Sequence, residues 1–452
     1  MLYLLLTHSI FSCSEPCTTR LDCESDSTPL QLSMFLGSTL SSGESAYNIP
    51  NHTIIGVSGL GRSWSLDVGE EIMVGLPELG VALSFPYTQE QFQNENIVQS
   101  GTSAQSFGNS VSFLNSENST YAMISAPDYG VEFWKQGAVF IYQNRNSAPI
   151  TTILGNRTHE MFGDRIYSCG DIDGDGIEDA LVSSSFFGGS LNNDEDLALS
   201  GRIYVLNSQQ FQQSQEHDAT EFVYFTGSST GGRFGHEATC RSDVSGNGML
   251  DLVISAPFAD SGTLDASGAI YVLPSQSTSI EDATFRLQGQ TSNAWLGWSV
   301  ALGDIDGDKQ VDIVGGAPGE NNSLGAVYIW KGSDLAQGQT SPTIEFRSIE
   351  TRIGEKVHVA DINGDELDDI IIGERSGSLL DETQDFSNTG LAHIIFGRTD
   401  LSSLDGIQTV QEADLQISVN QEEADLGSTI FSGDLDQDGI QDLLFIHNTA
   451  PQ

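Results

Sequence analysis

Asp171-Ile-Asp-Gly-Asp-Gly-Ile-Glu-Asp179 is a nine-residue acidic loop, and its frame returns at Asp243 to Asp251, Asp304 to Asp312, Asp361 to Asp369 and Asp434 to Asp442. Oxygen-bearing side chains stand at loop positions one, three, five and nine, and a tight turn at positions four to six folds them back around one point. A hard divalent cation takes roughly six to eight oxygen ligands at about 2.3–2.6 Å, and without it the converging carboxylates would repel. The frame therefore predicts a calcium loop. Each copy runs on into an apolar stretch (Ala180-Leu-Val182, Leu252-Val-Ile254, Ile313-Val314, Ile370-Ile-Ile372, Leu443-Leu-Phe-Ile446), so the loop joins two strands. An EF-hand would continue into a helix and place a bidentate Glu at position twelve; neither is present.

The copies differ in donor quality. The sets Asp171, Asp173, Asp175, Asp179, then Asp304, Asp306, Asp308, Asp312, and Asp434, Asp436, Asp438, Asp442 are fully acidic. The set Asp361, Asn363, Asp365, Asp369 loses one charge, and the set Asp243, Ser245, Asn247, Asp251 loses two, so the last is expected to bind most weakly. Position seven is expected to contribute a backbone carbonyl, from Ile177, Met249, Gln310, Leu367 and Ile440. Asp and Gly also form ordinary turns, but five copies in one frame, each between strands, outweigh that reading. About five structural Ca²⁺ are expected, because a loop that saturates the ion leaves no open position for substrate. Extracellular calcium modules bind at roughly 10⁻⁴ to 10⁻³ M, which suits permanent occupancy outside a cell.

Three further landmarks recur in order around these loops. An apolar-Gly pair opens each repeat, at Leu60-Gly61, Phe107-Gly108, Phe162-Gly163, Phe234-Gly235, Leu296-Gly297, Ile353-Gly354 and Leu426-Gly427. These define repeats one to seven. An apolar strand then ends in a small-Ala-Pro turn, as at Ser125-Ala-Pro127, Ser255-Ala-Pro257 and Gly316-Ala-Pro318. A Gly-apolar strand follows, as in Gly137-Ala-Val-Phe-Ile-Tyr142, Gly201-Arg-Ile-Tyr-Val205, Gly268-Ala-Ile-Tyr-Val272 and Gly325-Ala-Val-Tyr-Ile329. With a less regular fourth strand, such as Thr343-Ile-Glu-Phe346, each repeat has the signature of a propeller blade.

The landmarks and their embedded acidic loops resemble the FG-GAP repeats of the integrin α-subunit head, from about Leu30 to the C-terminus and specifically in repeats two to seven. The expected fold is all-β: a seven-bladed propeller of four-stranded blades, with calcium in repeats three to seven. Repeat one is degenerate, with Glu71 in the last ligand position and Ser63 and Ser65 in the first two. Repeat two carries Phe113, Asn115, Glu117, Ser119 and Tyr121 in the loop frame, so neither repeat is expected to hold calcium. Repeat seven stops after its second strand. The runs Leu30 to Leu36 and His52 to Gly56 are expected to complete it, which would tie the chain ends together and remove an exposed sheet edge.

The loops between second and third strands lie opposite the calcium loops, because successive strands run antiparallel. They are Asp128 to Gln136, Phe186 to Ser200, Phe258 to Ser267 and Arg375 to Thr389. The resemblance implies that this face binds a protein or glycan partner, with Tyr129, Phe133, Trp134, Phe186 and Phe187 as candidate contacts.

Sixty-three Asp and Glu against 17 Lys and Arg give a formal charge of -46, which opposes nucleic acid and anionic membrane surfaces. The apolar run from Met1 to Phe11, followed by Cys13, is too short to span a bilayer and reads as an export signal of lipoprotein type that lacks its basic residues. Residues 1–12 are thus read as a signal segment with Cys13 as a candidate lipid anchor, 13–29 as a flexible tether, and 30–452 as the propeller. The chain is expected to be secreted or held at the cell surface, including as an outer-membrane lipoprotein, and monomeric. Cys17, Cys23, Cys169 and Cys240 remain, and both two disulfides and buried free thiols fit their spacing. The eight histidines are scattered, and no Ser-His-Asp order or phosphate-cradling Gly loop is present. The leading functional reading is a calcium-stabilised binding or adhesion module. The alternative is a hydrolase or lyase with its site at a central channel, since propellers also host such chemistry.

Overall fold

The structure is a computed structural model that describes residues 106–116, 119–143, 148–188, 199–211, 216–349, 351–375, 390–404, 406–418, 426–434 and 439–447, together with strands before and between them. The architecture is all-β, with only short helical turns among the described residues. Cys13, Cys17, Cys23 and the 13–29 segment lie outside them, as do Asp436 and Asp438.

Each of the first six repeats builds one sheet whose strands follow chain order and alternate in direction. In the fourth repeat these are Ala238–Ser242, Asp251–Ala256, Ala269–Pro274 and Phe285–Gln288. In the fifth they are Ser299–Gly303, Asp312–Ala317, Ala326–Trp330 and Ile344–Arg347. The two middle strands are buried along their whole length in repeat five. A strand covered on both faces reads as a continuous apolar run, and an alternating pattern is left to the outer strands. The cover comes from the neighbouring sheets. One core joins Leu181, Ile203 and Val205 of repeat three to Leu252 and Ile254 of repeat four, and another joins Val314, Val327 and Ile329 of repeat five to Ile370 and Ile372 of repeat six.

The two glycine landmarks of the sequence meet at these junctions. Gly268 (φ +83°) opens a third strand and passes so close to Leu296 of the next apolar-Gly pair that a Cβ would lie 2.2 Å from its carbonyl oxygen. Gly201 stands in the same way against Phe234, also at 2.2 Å. Only a residue without a Cβ admits that approach, and the apolar partner, buried in each case, fills the core between two sheets.

First strands pack on first strands in succession: Ser65–Val68 on Val111–Asn115, that on Ile166–Ser168, then Ala238–Ser242, Ser299–Gly303, Lys356–Ala360 and Thr429–Gly433, which packs on Ser65–Val68 again. The last sheet holds Thr429–Gly433 and Asp442–His447, with Thr53–Ser58, Leu2–His8 and Leu32–Phe35 beside them. Both N-terminal runs expected there are present. Thr53–Ser58, however, pairs with Asp442–His447 in parallel, and Leu2–His8, inside the segment read as a signal, forms the strand between it and Leu32–Phe35. Two sheets also gain a fifth strand: Glu216–Asp218 joins Thr151–Leu154, and Gly406–Thr409 joins Ile344–Arg347, both in parallel. These segments come from the following repeat and cover an outer edge that would otherwise present unpaired backbone groups.

Cys169, which directly follows the first strand Ile166–Ser168, and Cys240, in the adjacent first strand Ala238–Ser242, form a disulfide with their Cα atoms 5.0 Å apart. The free-thiol alternative for this pair is thereby excluded.

Candidate metal centre

Each acidic loop bridges a first and a second strand, and its backbone is wound by its own side chains. The position-one carboxylate of Asp171 accepts N–H bonds from Gly174 (2.6 Å), Asp175 (3.0 Å) and Gly176 (2.8 Å). Asp361 does the same with Gly364, Asp365 and Glu366. The position-five side chain accepts the N–H of position seven: Asp175 from Ile177, Asn247 from Met249, Asp308 from Gln310 and Asp365 from Leu367. Glycine serves the left-handed turns inside the loops, as at Gly174 and Gly176 (φ +81° and +85°).

Position nine begins the second strand at Asp251, Asp312 and Asp369 and immediately precedes it at Asp179, and all four carboxylates are fully buried. One oxygen of each accepts the N–H of position two or three, for example Asp312 from Ile305 at 3.0 Å. In three loops the other oxygen accepts an N–H from the turn after the third strand: Ser208 (2.8 Å), Gly332 (2.7 Å) and Gly397 (2.8 Å). Those three donors were missed in the sequence, although each lies seven residues after the glycine that opens its third strand, Gly201, Gly325 or Gly390. Asn207 and Ser208 also donate to Asp173 and Asp175.

Carboxylate oxygens of Asp171, Asp173 and Asp179 lie within 4.8 Å of one another, and so do those of Asp304, Asp306 and Asp312. The structure thus brings together positions one, three and nine of two loops, while Asp175 and Asp308 at position five stand outside these groups. The Asp243 and Asp361 loops assemble no such trio of acids, since Ser245 and Asn363 hold position three. In the first of these Ser245 donates its hydroxyl to Asp251 (3.1 Å). Of the last loop, Asp434, Ile440 and Asp442 are described, and Asp434 accepts the Gly439 N–H at 3.0 Å.

The electrostatics fit a cation. Burial pushes the Asp312 and Asp369 carboxyls up to about 7 and Asp179 up to about 6, with the N–H donors to each offsetting only part of that. Burial and then the neighbouring carboxylate raise Asp173 and Asp306 as well. Asp304 Oδ1 is buried without a hydrogen-bond partner. A hard divalent ion supplies what these groups lack, a positive charge that accepts several oxygen donors at once.

The profile of the FG-GAP repeat family matches residues 296–330, the first to third strands of repeat five with the Asp304 loop between. Integrin alpha-4 of Xenopus laevis is 30% identical over 184 residues, covering 38% of this chain and 17% of that protein. The chain is an integrin-like FG-GAP repeat protein. Integrin alpha-5 of Xenopus laevis is 29% identical over 226 residues, which is 45% of this chain and 20% of its own. A phosphatidylinositol-glycan-specific phospholipase D of Dictyostelium discoideum is 30% identical over 182 residues, 34% of this chain and 19% of that enzyme. This FG-GAP chain spans about a fifth or less of the length of these relatives. A solved structure titled "Structure of Dos1 propeller" aligns with a TM-score of 0.41 and 14% identity over 69% of this chain and 63% of its own, a likeness too slight to bear on the fold.

On the face opposite the acidic loops, the Asp128–Gln136 loop of this FG-GAP protein is fastened from beneath. Gln136, itself buried, accepts the N–H groups of Val131, Glu132 and Phe133 on one side-chain oxygen. Val131, Phe133 and Trp134 are thereby held 66%, 39% and 63% exposed. Phe187 differs from these candidates, being 1% exposed beneath the Arg202 guanidinium, 3.6 Å from its ring centroid. It is a packing residue. Tyr129 packs edge-on against Phe140, and Phe186 lies under Arg233.

Proposed function

We propose that this chain is a calcium-stabilised, extracellular or surface-anchored binding module: a closed seven-bladed propeller with Ca²⁺ in the loops of repeats three to seven. The observation that carries the reading is the convergence of carboxylates from positions one, three and nine in two loops of the repeated frame, with Asp304 Oδ1 of one of them buried and unpartnered. The return of the seventh first strand onto the first supports closure. The position-seven carbonyls complete each donor set, and the Asp243 loop is the weakest. Export is supported by the Cys169–Cys240 disulfide, which persists in oxidising surroundings, and by the integrin relatives. Among the described residues no helix is long and apolar enough to cross a membrane.

A protein or glycan partner is assigned to the face opposite the calcium loops, where Phe133 and Trp134 are the leading contacts. Exposed aromatic side chains on a rigid loop give large contact area at low entropic cost. The test has two arms. Calorimetric titration of Ca²⁺ into depleted protein is expected to show saturable sites at roughly 10⁻⁴ to 10⁻³ M; no binding heat together with an unchanged melting temperature would end the calcium reading. Beads coated with the protein are then offered to matrix proteins and a glycan array. Retention that Phe133→Ala with Trp134→Ala abolishes supports the binding face, and retention indifferent to both substitutions refutes it.

A further inference from the structure

The loops of repeats five and six are joined by a residue outside the ligand set. Asp368 stands at position eight, immediately before Asp369. Its N–H donates to the carbonyl of Asp304, position one of the preceding loop, at 3.0 Å, and its Oδ2 accepts the N–H of that same residue at 2.8 Å. A second tie starts from Asp369, which accepts the Gly397 N–H; the adjacent Arg398 N–H donates to the Ile305 carbonyl at 3.0 Å. Leu367 closes the gap over Gly307, where a Cβ would come within 2.7 Å of its Cδ2. Position one of one loop is thus held directly by position eight of the next, while position two is held through the Gly397–Arg398 turn that position nine fastens.

The same reciprocal tie joins repeats two and three, where the Glu178 N–H donates to the Asn115 carbonyl at 3.0 Å and Glu178 Oε2 accepts the Asn115 N–H at 2.8 Å. Repeat two lacks the acidic ligand frame, so no second ion site is joined there. The two junctions between are built differently. Position eight is Leu250 in repeat four and Val311 in repeat five. Among the described residues, no backbone hydrogen bond joins the 171–179 loop to 243–251, or 243–251 to 304–312. The junction of repeats three and four is spanned instead by the disulfide and by an ion pair of Arg241 with Glu178 at 3.7 Å. Gln441 N–H does reach the Asp361 carbonyl, at a longer 3.4 Å and without a side-chain return bond.

Resting on the calcium reading above, we infer that the 304–312 and 361–369 loops load Ca²⁺ cooperatively, with Asp368 as the positioning residue that couples them. An ion in the first loop draws in the Asp304 carboxylate and fixes its backbone. The N–H and carbonyl of that residue then fix Asp368, and with it the start of the strand that carries Asp369. A second ion meets a loop already ordered, so less ordering remains to oppose its binding.

Hydrogen exchange read by mass spectrometry over a Ca²⁺ titration resolves the loops separately, and its peptides from the middle strands show in the same run that a variant is folded. In the parent protein the two loops are expected to gain protection at a shared midpoint. Asp361→Asn, which removes a ligand only from the second loop, should move the midpoint of 304–312 upward by about fivefold or more. Asp368→Ala should separate the two midpoints although every ligand is intact, and Asp368→Asn, which keeps an accepting oxygen, should restore the coupling. Asp171→Asn should shift its own loop alone. A 304–312 midpoint unmoved by both Asp361→Asn and Asp368→Ala overturns the inference while leaving the calcium sites standing. Loops unprotected up to about 10 mM Ca²⁺ would overturn those sites instead, and the coupling with them.

Discussion

Calcium removal should reverse the way this protein's stability depends on pH. Without a cation, Asp312 and Asp369 have their carboxyls raised to about 7 and Asp179 to about 6, with burial as the first cause of each. The unfolded chain titrates these groups near 4, roughly the ordinary carboxylate value. A carboxyl whose folded value lies above its unfolded one favours the fold while protonated. That contribution is complete below about pH 4 and is lost as the pH climbs through the folded value. At about 1.4 kcal/mol per unit, Asp312 and Asp369 each lose ~4 kcal/mol by pH 7.5 and Asp179 ~3 kcal/mol. Water entry and relaxation around the charged loops reduce the total to the order of 5 kcal/mol.

A chain of 452 residues unfolding with an entropy of about 2 cal/mol/K per residue shifts its melting temperature by ~1 °C per kcal/mol. About two fifths of that loss is already incurred by pH 5, so calcium-depleted protein should melt ~3 °C lower at pH 7.5 than at pH 5. With saturating Ca²⁺ the carboxylates are ionised and bound, protons compete with the metal, and stability should fall as the pH is lowered instead. Differential scanning calorimetry of depleted and calcium-loaded protein across this range checks the claim, because every carboxylate outside the loops contributes equally to both series. Two parallel profiles, separated by a constant or by nothing, would refute the assignment of these buried aspartates to cation sites.

Three other outcomes follow from the packing. Replacing both Cys169 and Cys240 by Ala opens a cross-link between residues 71 apart in sequence, and chain entropy puts the loss at ~4 kcal/mol; denaturant titration of the variant and of the parent with and without reductant measures it. Gly268→Ala drives a methyl group into the Leu296 carbonyl at a positive φ, so a loss of about 3 kcal/mol or more is expected, whereas Gly338→Ala, with open space around its Cβ, should show only the milder strain of its backbone conformation; thermal melts of the pair decide. Trp134→Ala leaves a side chain that is 63% exposed, so folding stability should stay within about 0.5 kcal/mol, and any loss of partner retention by that variant is then a binding effect.

What the amino-acid sequence discloses here depends on whether side chains or backbone do the work. The acidic loops are legible because oxygen ligands at fixed spacing admit few residue types, and Gly201 and Gly268 because the approach of Phe234 and Leu296 admits no Cβ at all. The N–H groups of Ser208, Gly332 and Gly397 hold position nine just as firmly, yet any residue except proline supplies an N–H, so only their constant distance from a glycine could have betrayed them. The parallel fifth strand Glu216–Asp218 is likewise a backbone event in three polar residues, too short for periodicity to register. Spacing left the Cys169 and Cys240 thiols free or bonded, and the decision came from two adjacent first strands setting them side by side. The partner face is the hardest case. Trp134 and Phe187 are aromatics in equivalent loops, and they part company only because the Arg202 guanidinium covers one ring while the hydrogen bonds of Gln136 hold the loop of the other out in solvent. A site that grips an ion is specified by what it contains, whereas a surface that meets a partner is specified by what leaves it uncovered, and that depends on residues distant in sequence.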